Sequence, residues 1–386
     1  MSTYRSRTKA RTALTVSLAL VAVLLVAGIA AIALVHHQDT TNAGSHGNTD
    51  TTTHTTQQQT AEAVAWTSPK AGQTGVSPAG PIVVHLTQAL APGSPMPTIT
   101  PNVSGTWALT APTTLTFEPS ASLVPFQTYT VTVPGGSDGL RGKSGDHLAA
   151  NVQIGFKIEA APFLRLQQVL AQLNYLPVSF TPQTTTALPA DQEAMTQLGT
   201  FNWRWPNMPS TLTSLFVQGD DDVLTQGAVM MFESLHGLAT DGIAGPDVWS
   251  DLLQAVANNQ LDPNPWDWIY VQKTPVPEQL YAWSNGKVVF QTAANTGAQG
   301  VQTPDGSWPV YLHWATTTMQ GTNPNGTKYD DKNVLWVSYF YKGDALHAFL
   351  RGSYGTPQSL GCVEMPTASA AKVFPLTPIG TVVTVQ

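Results

Sequence analysis

An uncharged apolar run from Ala13 to Val35 constrains this chain more than any other feature of its sequence. A helix of that length spans roughly 34 Å at the usual rise per residue, which is enough to cross a bilayer core. Four basic residues precede the run: Arg5, Arg7, Lys9 and Arg11. A cleavable signal peptide has a shorter apolar region, so we expect an uncleaved anchor. Because basic residues favour the cytoplasmic side, the sequence predicts a cytoplasmic tail over 1–12, a transmembrane anchor over 13–35 and an extracytoplasmic remainder.

A low-complexity segment follows the apolar run. Residues 36–62 are rich in Thr, Gln, His, Gly and Asn and show no apolar period, so they cannot bury enough surface to fold. We interpret this segment as a flexible stalk between a single-pass membrane anchor and the folded domains. The formal net charge of -7 argues against nucleic acid as a partner, because phosphate binding needs a basic surface.

Short alternating strands fill residues 63–160. Typical examples are residues 82–86 and 129–133, and turns rich in Gly, Pro and Ser separate them. About seven such strands predict an antiparallel sandwich. The stretches TSPKAGQTGVSPAGPIVVHL and TLTFEPSASLVPFQTYTVTV resemble bacterial immunoglobulin-like (Ig-like) domains of cell-surface proteins. The resemblance implies a spacer module, with ligand binding as the alternative, and nothing in the segment indicates a catalytic role.

Helical spacing begins after residue 160. One apolar stripe lies along the first predicted helix: Leu166, Val169, Leu170, Leu173 and Leu176. A second helix stops at Gly237, and a third begins near Pro246. The pairs Gly237-Leu238, Asp241-Gly242 and Gly245-Pro246, followed by Trp249, resemble the three-helix peptidoglycan-binding domain. The resemblance predicts such a domain over residues 161–258, with the cell-wall polymer as its ligand.

One stretch departs from this domain pattern. Residues 178–217 are much longer than the family's link between its first two helices, and they contain the aromatic sequence FNWRW at 201–205. Two interpretations are open, an added binding lip or packing against a neighbouring part of the chain.

The last segment, residues 267–386, holds the one cysteine of the chain, Cys362. Outside the membrane structural cysteines come in pairs, so a lone thiol is either a small buried hydrophobe or a reactive group. A thiol becomes a good nucleophile when a neighbouring imidazole takes its proton, and His347 lies on a strand predicted to return close to Cys362. Gly361 allows a tight turn beside the thiol, so the amides around it are the natural donors to an oxyanion.

The order of motifs in this segment is specific. A hairpin turn at Asn285-Gly286 precedes Asn-Thr-Gly at 295–297, Thr-Pro-Asp-Gly-Ser-Trp at 303–308, then His347 and SLGCV at 359–363. This layout resembles the L,D-transpeptidase catalytic domain over residues 267–386. The resemblance implies a mostly β fold, a cysteine nucleophile, and peptidoglycan stem peptides and glycan as partners. It also implies transfer of a tetrapeptide's acyl group to a neighbouring stem, which gives a 3→3 cross-link.

The same resemblance suggests roles for three further residues. Ser359 either hydrogen-bonds within the loop or contacts substrate, as its family counterpart does. Arg351 and Tyr354 are candidates for binding stem carboxylates and lining the cleft. His313, on an upstream strand, is expected to pack rather than to act as the base.

Two positions depart from the family pattern. Leu360 stands where the motif usually has a second histidine, and Glu364 stands where Arg or Asn is common. Loss of the motif histidine weakens oxyanion stabilisation or substrate orientation, which can be worth a few kcal/mol. Glu364 puts a negative charge where a cation often meets an anionic substrate, and suggests a less acidic stem peptide or a slower enzyme.

The sequence therefore predicts a multidomain, mainly β protein that acts as a membrane-anchored L,D-transpeptidase. Two alternatives remain, an L,D-carboxypeptidase that uses water as acceptor, and a non-catalytic cell-wall-binding protein that lost activity through Leu360. No cofactor is implied, because the sequence has no phosphate-binding glycine loop and no metal-ligand spacing. The oligomeric state is open.

Overall fold

The computed structural model describes residues 62–184 and 186–386. The predicted tail, the anchor and nearly all of the stalk lie outside the described residues. Within these two ranges, no helix is long and apolar enough to cross a membrane.

The first described domain is a sandwich of two four-stranded sheets, with orders β1-β3-β6-β5 and β2-β8-β7-β4. Its strands are β1 (Val64–Ser68), β2 (Gln73–Val76), β3 (Ile82–Leu86), β4 (Thr98–Thr100), β5 (Gly105–Ala111), β6 (Thr114–Pro119), β7 (Thr128–Val133) and β8 (Val152–Ile158). Alternate side chains of β3 and β7, such as Val84 and Val131, fill the core between the sheets. The sandwich differs from the expected antiparallel one in a single pairing, since β2 runs parallel to β8.

The middle of the chain is mainly helical. Its elements are α1 (Phe163–Gln172), β9 (Val178–Pro182), a 3₁₀ turn (Ala190–Gln192), β10 (Gly199–Trp203), α2 (Ser210–Thr213), α3 (Val223–His236) and α4 (Pro246–Ala257). The carboxylate of Asp222 caps α3 by accepting from the amide of Thr225 at 2.7 Å, and Gly237 ends this helix with φ 71°. Pro246 occupies the first turn of α4.

The helices share one hydrophobic core with the C-terminal part of the chain. Phe232 and Trp249 are buried among the helices, and Trp268 and Val382 of the following domain belong to the same cluster. The helical segment therefore does not close its core alone, and its predicted role in peptidoglycan binding stays a prediction.

The long stretch 178–217 packs against both neighbours. Its aromatic rings pack against one another, with Phe201 edge-to-face on Phe216 at 5.2 Å between ring centroids. Trp205 covers the hairpin turn of the next domain, because a Cβ added to Gly286 would overlap its side chain. Of the two open interpretations, these contacts support packing.

The C-terminal domain contains two sheets that enclose a hydrophobic core of their own. The strands are β11 (Asp267–Gln272), β12 (Gln279–Ser284), β13 (Lys287–Ala293), β14 (Gly306–Pro309), β15 (Leu312–Thr322), β16 (Lys328–Tyr341), β17 (Asp344–Ala348), β18 (Val363–Met365) and β19 (Val382–Val385). One sheet has the order β13-β12-β11-β19-β14, and the other has the order β15-β16-β17-β18. Helix α5 (Thr367–Val373) and a 3₁₀ turn (Phe374–Leu376) connect β18 to β19. As predicted, Asn285 and Gly286 form the tight turn of the β12–β13 hairpin, both with positive φ.

Candidate active site

The second sheet of the C-terminal domain packs one face against the core and directs the other away from it. Strands β17 and β18 pair in parallel, with Leu346 opposite Val363 and His347 opposite Glu364. Because side chains alternate along a strand, Leu346 and Val363 enter the core while His347 and Glu364 share the outer face. Cys362 immediately precedes β18 and lies on the same outer side as Glu364.

A cleft of 340 Å³ opens on this outer face. Its lining residues are Met319, Asn323, Tyr329, Asp331, His347, Phe349, Arg351, Gln358, Leu360, Cys362 and Glu364. The structure thus brings the two central predicted residues, His347 and Cys362, into one cleft. Four lining residues come from the β15–β16 hairpin and its turn, and no sequence motif pointed to them: Met319, Asn323, Tyr329 and Asp331.

His347 is buried, with 2% of its surface exposed. Its Nδ1 atom lies 2.9 Å from the carbonyl oxygen of Ala348. Burial lowers the pKa of the imidazole below its ordinary value, since a charged ring is poorly solvated there. The hydrogen bond to Ala348 and the carboxylate of Glu364 act against that lowering. The ring is therefore neutral at physiological pH and available to take a proton.

Cys362 is half-buried at the cleft, and its sulfur lies 4.0 Å from the carbonyl oxygen of Gly343. Burial raises the pKa of the Cys362 thiol to about 12. The amide of Ala345 lowers it in part, and the carboxylates of Asp344 and Glu364 raise it further. The resting state is thus a thiol in the same cleft as a neutral imidazole, rather than a thiolate–imidazolium pair.

The turn before Cys362 is held from within. Gly361 has φ 126°, and a Cβ there would overlap the Asp344 carboxylate. Ser359 is buried, and its hydroxyl donates to the carbonyl oxygen of Cys362 at 2.5 Å while accepting from the amide of Gly361 at 3.2 Å. Of the two roles open for Ser359, these bonds favour the one within the loop. The Gly361 amide, a predicted oxyanion donor, is therefore already hydrogen-bonded to the Ser359 hydroxyl.

The Asn-Thr-Gly and Thr-Pro motifs upstream hold the backbone of this turn through hydrogen bonds. Asn295 exchanges two backbone hydrogen bonds of 2.9 Å with Glu364, and the carbonyl of Thr296 accepts from the amide of Ser359. The hydroxyl of Thr303 donates to the carbonyl oxygen of Gly361 at 2.7 Å. The Asn-Thr-Gly and Thr-Pro motifs therefore fix the backbone around the thiol, and none of their residues lines the cleft.

Arg351 and Glu364 form an ion pair at the edge of the cleft. The guanidinium donates from Nε to Oε2 and from Nη2 to Oε1, both at 2.7 Å. The Glu364 side chain is 6% exposed and that of Arg351 28% exposed. The negative charge that sets Glu364 apart from the family pattern is thus paired with a cation inside the protein. Arg351 is a candidate for binding stem carboxylates and lines the cleft. Two of its nitrogens, Nε and Nη2, are already hydrogen-bonded to Glu364.

The other three residues considered from the sequence, Tyr354, His313 and Leu360, lie in three different environments. The hydroxyl of Tyr354 donates to the carbonyl oxygen of Phe349 at 2.6 Å and accepts from the amide of Arg351, so Tyr354 braces the loop and does not line the cleft. His313 stacks on Phe374 at 3.8 Å between ring centroids, in a packing position. Leu360 is 40% exposed and lines the cleft.

The chain matches two known families over separate segments. Residues 267–385 match the L,D-transpeptidase catalytic domain, and residues 58–158 match the bacterial Ig-like domain. The C-terminal part of the chain is therefore an L,D-transpeptidase-type catalytic domain.

The chain is also similar to individual proteins. A zinc D-Ala-D-Ala carboxypeptidase from Streptomyces albus G is 28% identical over 141 residues, which cover 32% of this chain and 53% of the relative. The chain thus spans about half of that relative's length. An L,D-transpeptidase structure from Mycobacterium smegmatis aligns over 85% of this chain and 100% of its own, with 12% identity and a TM-score of 0.29. The L,D-transpeptidase catalytic domain of E. faecium aligns over 31% of this chain and 95% of its own, with 25% identity and a TM-score of 0.28.

Proposed function

We propose that this chain is a membrane-anchored L,D-transpeptidase that forms 3→3 cross-links in peptidoglycan. The observation that carries the proposal is the placement of His347 and Cys362 in one cleft of an L,D-transpeptidase-type domain. The Ig-like domain would act as a spacer, and the helical segment would hold the polymer.

The chemistry follows from the state of the two groups. Nε2 of His347 takes the proton of the Cys362 thiol as the sulfur bonds to the carbonyl carbon of the third stem residue. The carbonyl π electrons move to oxygen, and their return breaks the amide bond. The imidazolium gives its proton to the departing amine of D-alanine. An acceptor amine then attacks the thioester and loses a proton to His347. The C–S bond breaks as the new amide forms, and the imidazolium returns the proton to the departing sulfur.

The direct test is incubation of the full chain with a disaccharide-tetrapeptide, followed by mass analysis of the products. We expect dimers linked 3→3 from the wild type and none from Cys362→Ala. Equal product from the two proteins would overturn the proposal. Tripeptide monomer without dimer would establish the L,D-carboxypeptidase alternative instead.

One observation favours the non-catalytic alternative. The raised pKa of Cys362 leaves almost no thiolate at neutral pH, and Leu360 occupies the position of the motif histidine. Intact-mass analysis after exposure to a carbapenem separates the cases. An adduct on wild type that is missing from Cys362→Ala supports the enzyme, while sedimentation with insoluble peptidoglycan and no adduct supports a wall-binding protein.

A further inference from the structure

The Arg351–Glu364 ion pair is well organised for a contact at the edge of an open cleft. Both hydrogen bonds are 2.7 Å long, and the Nη2 atom of Arg351 also donates to the carbonyl oxygen of Gln358 at 3.3 Å. The guanidinium carbon lies 4.6 Å from the centre of the Phe349 ring. A bidentate pair of this kind holds the carboxylate in one orientation, whereas a mobile surface pair does not.

That orientation is set beside the candidate base. Glu364 is the register partner of His347 across the parallel strands β17 and β18, and both side chains line the cleft. Three other groups with charge or a proton to lose face His347 from neighbouring elements: Arg351 from the loop after β17, Asp331 from β16, and Cys362 from the turn before β18. Glu364 is the largest charge effect on the imidazole, ahead of Arg351 and Asp331.

The reaction needs a counter-charge at this place. When His347 takes the proton of Cys362, a positive ring forms in a site that is 2% exposed. Its Nδ1 atom already faces a neutral carbonyl, that of Ala348, which orients the ring but carries no full charge. A buried imidazolium without a compensating anion is costly.

We infer that Glu364 is a positioning residue that stabilises the imidazolium of His347 during acyl transfer. Arg351, by pairing with Glu364, sets how strongly the Glu364 carboxylate stabilises that imidazolium. This role rests on the proposed function, since it assigns a purpose to protonated His347. It also explains how a glutamate is tolerated at a position where the family commonly has Arg or Asn. A pair that only stabilised the loop would have no directional effect on the base.

The test uses the opposite charges of the two partners. We expect Glu364→Gln to lower the pKa of His347 by about one unit, and Arg351→Gln to raise it by a similar amount. The pKa is measured in the full chain by NMR titration of the histidine ring protons, with His347→Gln identifying the signal. Asp305→Asn is the matched control, because Asp305 pairs with Lys273 away from the cleft and its loss should leave the titration unchanged. Shifts in the same direction, or no shift in either variant, would overturn the inference.

A double variant covers the case in which Arg351→Gln fails to fold around an unpaired buried carboxylate. Arg351→Gln with Glu364→Gln removes both charges and leaves two amides that can pair. We expect its His347 to titrate at higher pH than that of Glu364→Gln alone, because the unbalanced positive charge is gone. An equal or lower pKa in the double variant would overturn the inference.

The titration needs no substrate, so its result is independent of the cross-linking assay. Opposite shifts in a protein that forms no dimers would leave the electrostatic coupling standing and overturn the proposed function. Dimer formation without opposite shifts would overturn the coupling alone. In an active protein we also expect the acid limb of the pH–rate profile to move with the His347 pKa, downward in Glu364→Gln.

Discussion

Nδ1 of His347 faces the carbonyl oxygen of Ala348 at 2.9 Å, and this contact decides which ring nitrogen can act on the thiol. A carbonyl oxygen only accepts hydrogen bonds, so Nδ1 carries the proton and Nε2 keeps its lone pair. The bond uses the backbone of the neighbouring residue, and therefore fixes the tautomer without an acidic side chain. The base is oriented by the strand itself.

The neutral resting pair predicts a slow, pH-dependent thiol. Because burial raises the pKa of Cys362 to about 12, iodoacetamide should modify it at pH 8 at least about tenfold more slowly than free cysteine, with the rate rising toward pH 11. Intact-mass spectrometry follows the reaction at one site, since Cys362 is the only cysteine. His347→Gln should change this alkylation little but abolish acylation by a carbapenem, which requires the base. A rate already at its plateau between pH 6 and 8 would indicate a thiolate–imidazolium pair instead.

Gly361→Ala should damage the nucleophile turn. Gly361 has φ 126°, and a Cβ added there would overlap the Asp344 carboxylate, so a methyl group forces the turn to move. We expect a loss of about 1–3 kcal/mol in unfolding free energy, and a fall of about 100-fold in the rate of carbapenem acylation. Gly352→Ala is the control, because a Cβ at that loop position meets nothing within 4 Å. Similar behaviour of the two variants would show that the turn adapts.

Leu360→His should restore a missing contribution to acylation. Leu360 is 40% exposed at the cleft, so a polar ring there should change stability by no more than about 0.5 kcal/mol. We expect the rate of carbapenem acylation to rise about tenfold through better stabilisation of the oxyanion. Leu350→His serves as control, because Leu350 is 88% exposed and does not line this cleft. An unchanged rate in Leu360→His would mean that the departure from the motif does not limit the reaction.

Features set by local chain chemistry were predictable. The Asn285-Gly286 turn requires two residues with positive φ, and the Asn-Gly pair predicts a hairpin turn because both residue types tolerate that conformation. The last strand, Val382–Val385, consists of β-branched residues, which favour an extended backbone. His347 and Cys362 share a cleft because one strand, one loop and one returning strand join them.

Features set by contacts across the fold were not predictable in the same way. The pairing of Arg351 with Glu364 depends on how the loop between β17 and β18 closes, and neither side chain carries a local signal of its partner. Tyr354 was expected in the cleft, but the loop geometry turns its hydroxyl back to the carbonyl of Phe349. Trp268 follows a proline-rich break that reads as a domain boundary, yet it packs in the core of the helices.

A buried carboxyl outside the catalytic domain gives a prediction about stability. Glu233 on α3 is 0% exposed, and its Oε2 atom accepts from the amide of Gly242 at 2.9 Å. Among the residues that the structure describes, Oε1 meets no hydrogen-bond donor. Burial raises the pKa of Glu233 to about 7, and the carboxylate of Asp241 adds to the increase while the amides of Gly242 and Ile243 oppose it.

Stability changes with pH because Glu233 has different pKa values in the folded and unfolded states. The pKa of Glu233 is higher in the folded state, at about 7, than the value near 4.3 expected for an unfolded chain, so the folded protein holds this proton more tightly. Its contribution to stability is complete below the unfolded value and is lost as the pH rises through about 7. Glu233→Gln stays neutral, so we expect it to gain on the order of 2 kcal/mol relative to wild type between pH 5 and 8. Urea unfolding of the full chain at both pH values measures the difference, and Glu118→Gln on the exposed side of β6 is the control. A stability difference between Glu233→Gln and wild type that is the same at pH 5 and 8 would show that Glu233 is already ionised in the folded state.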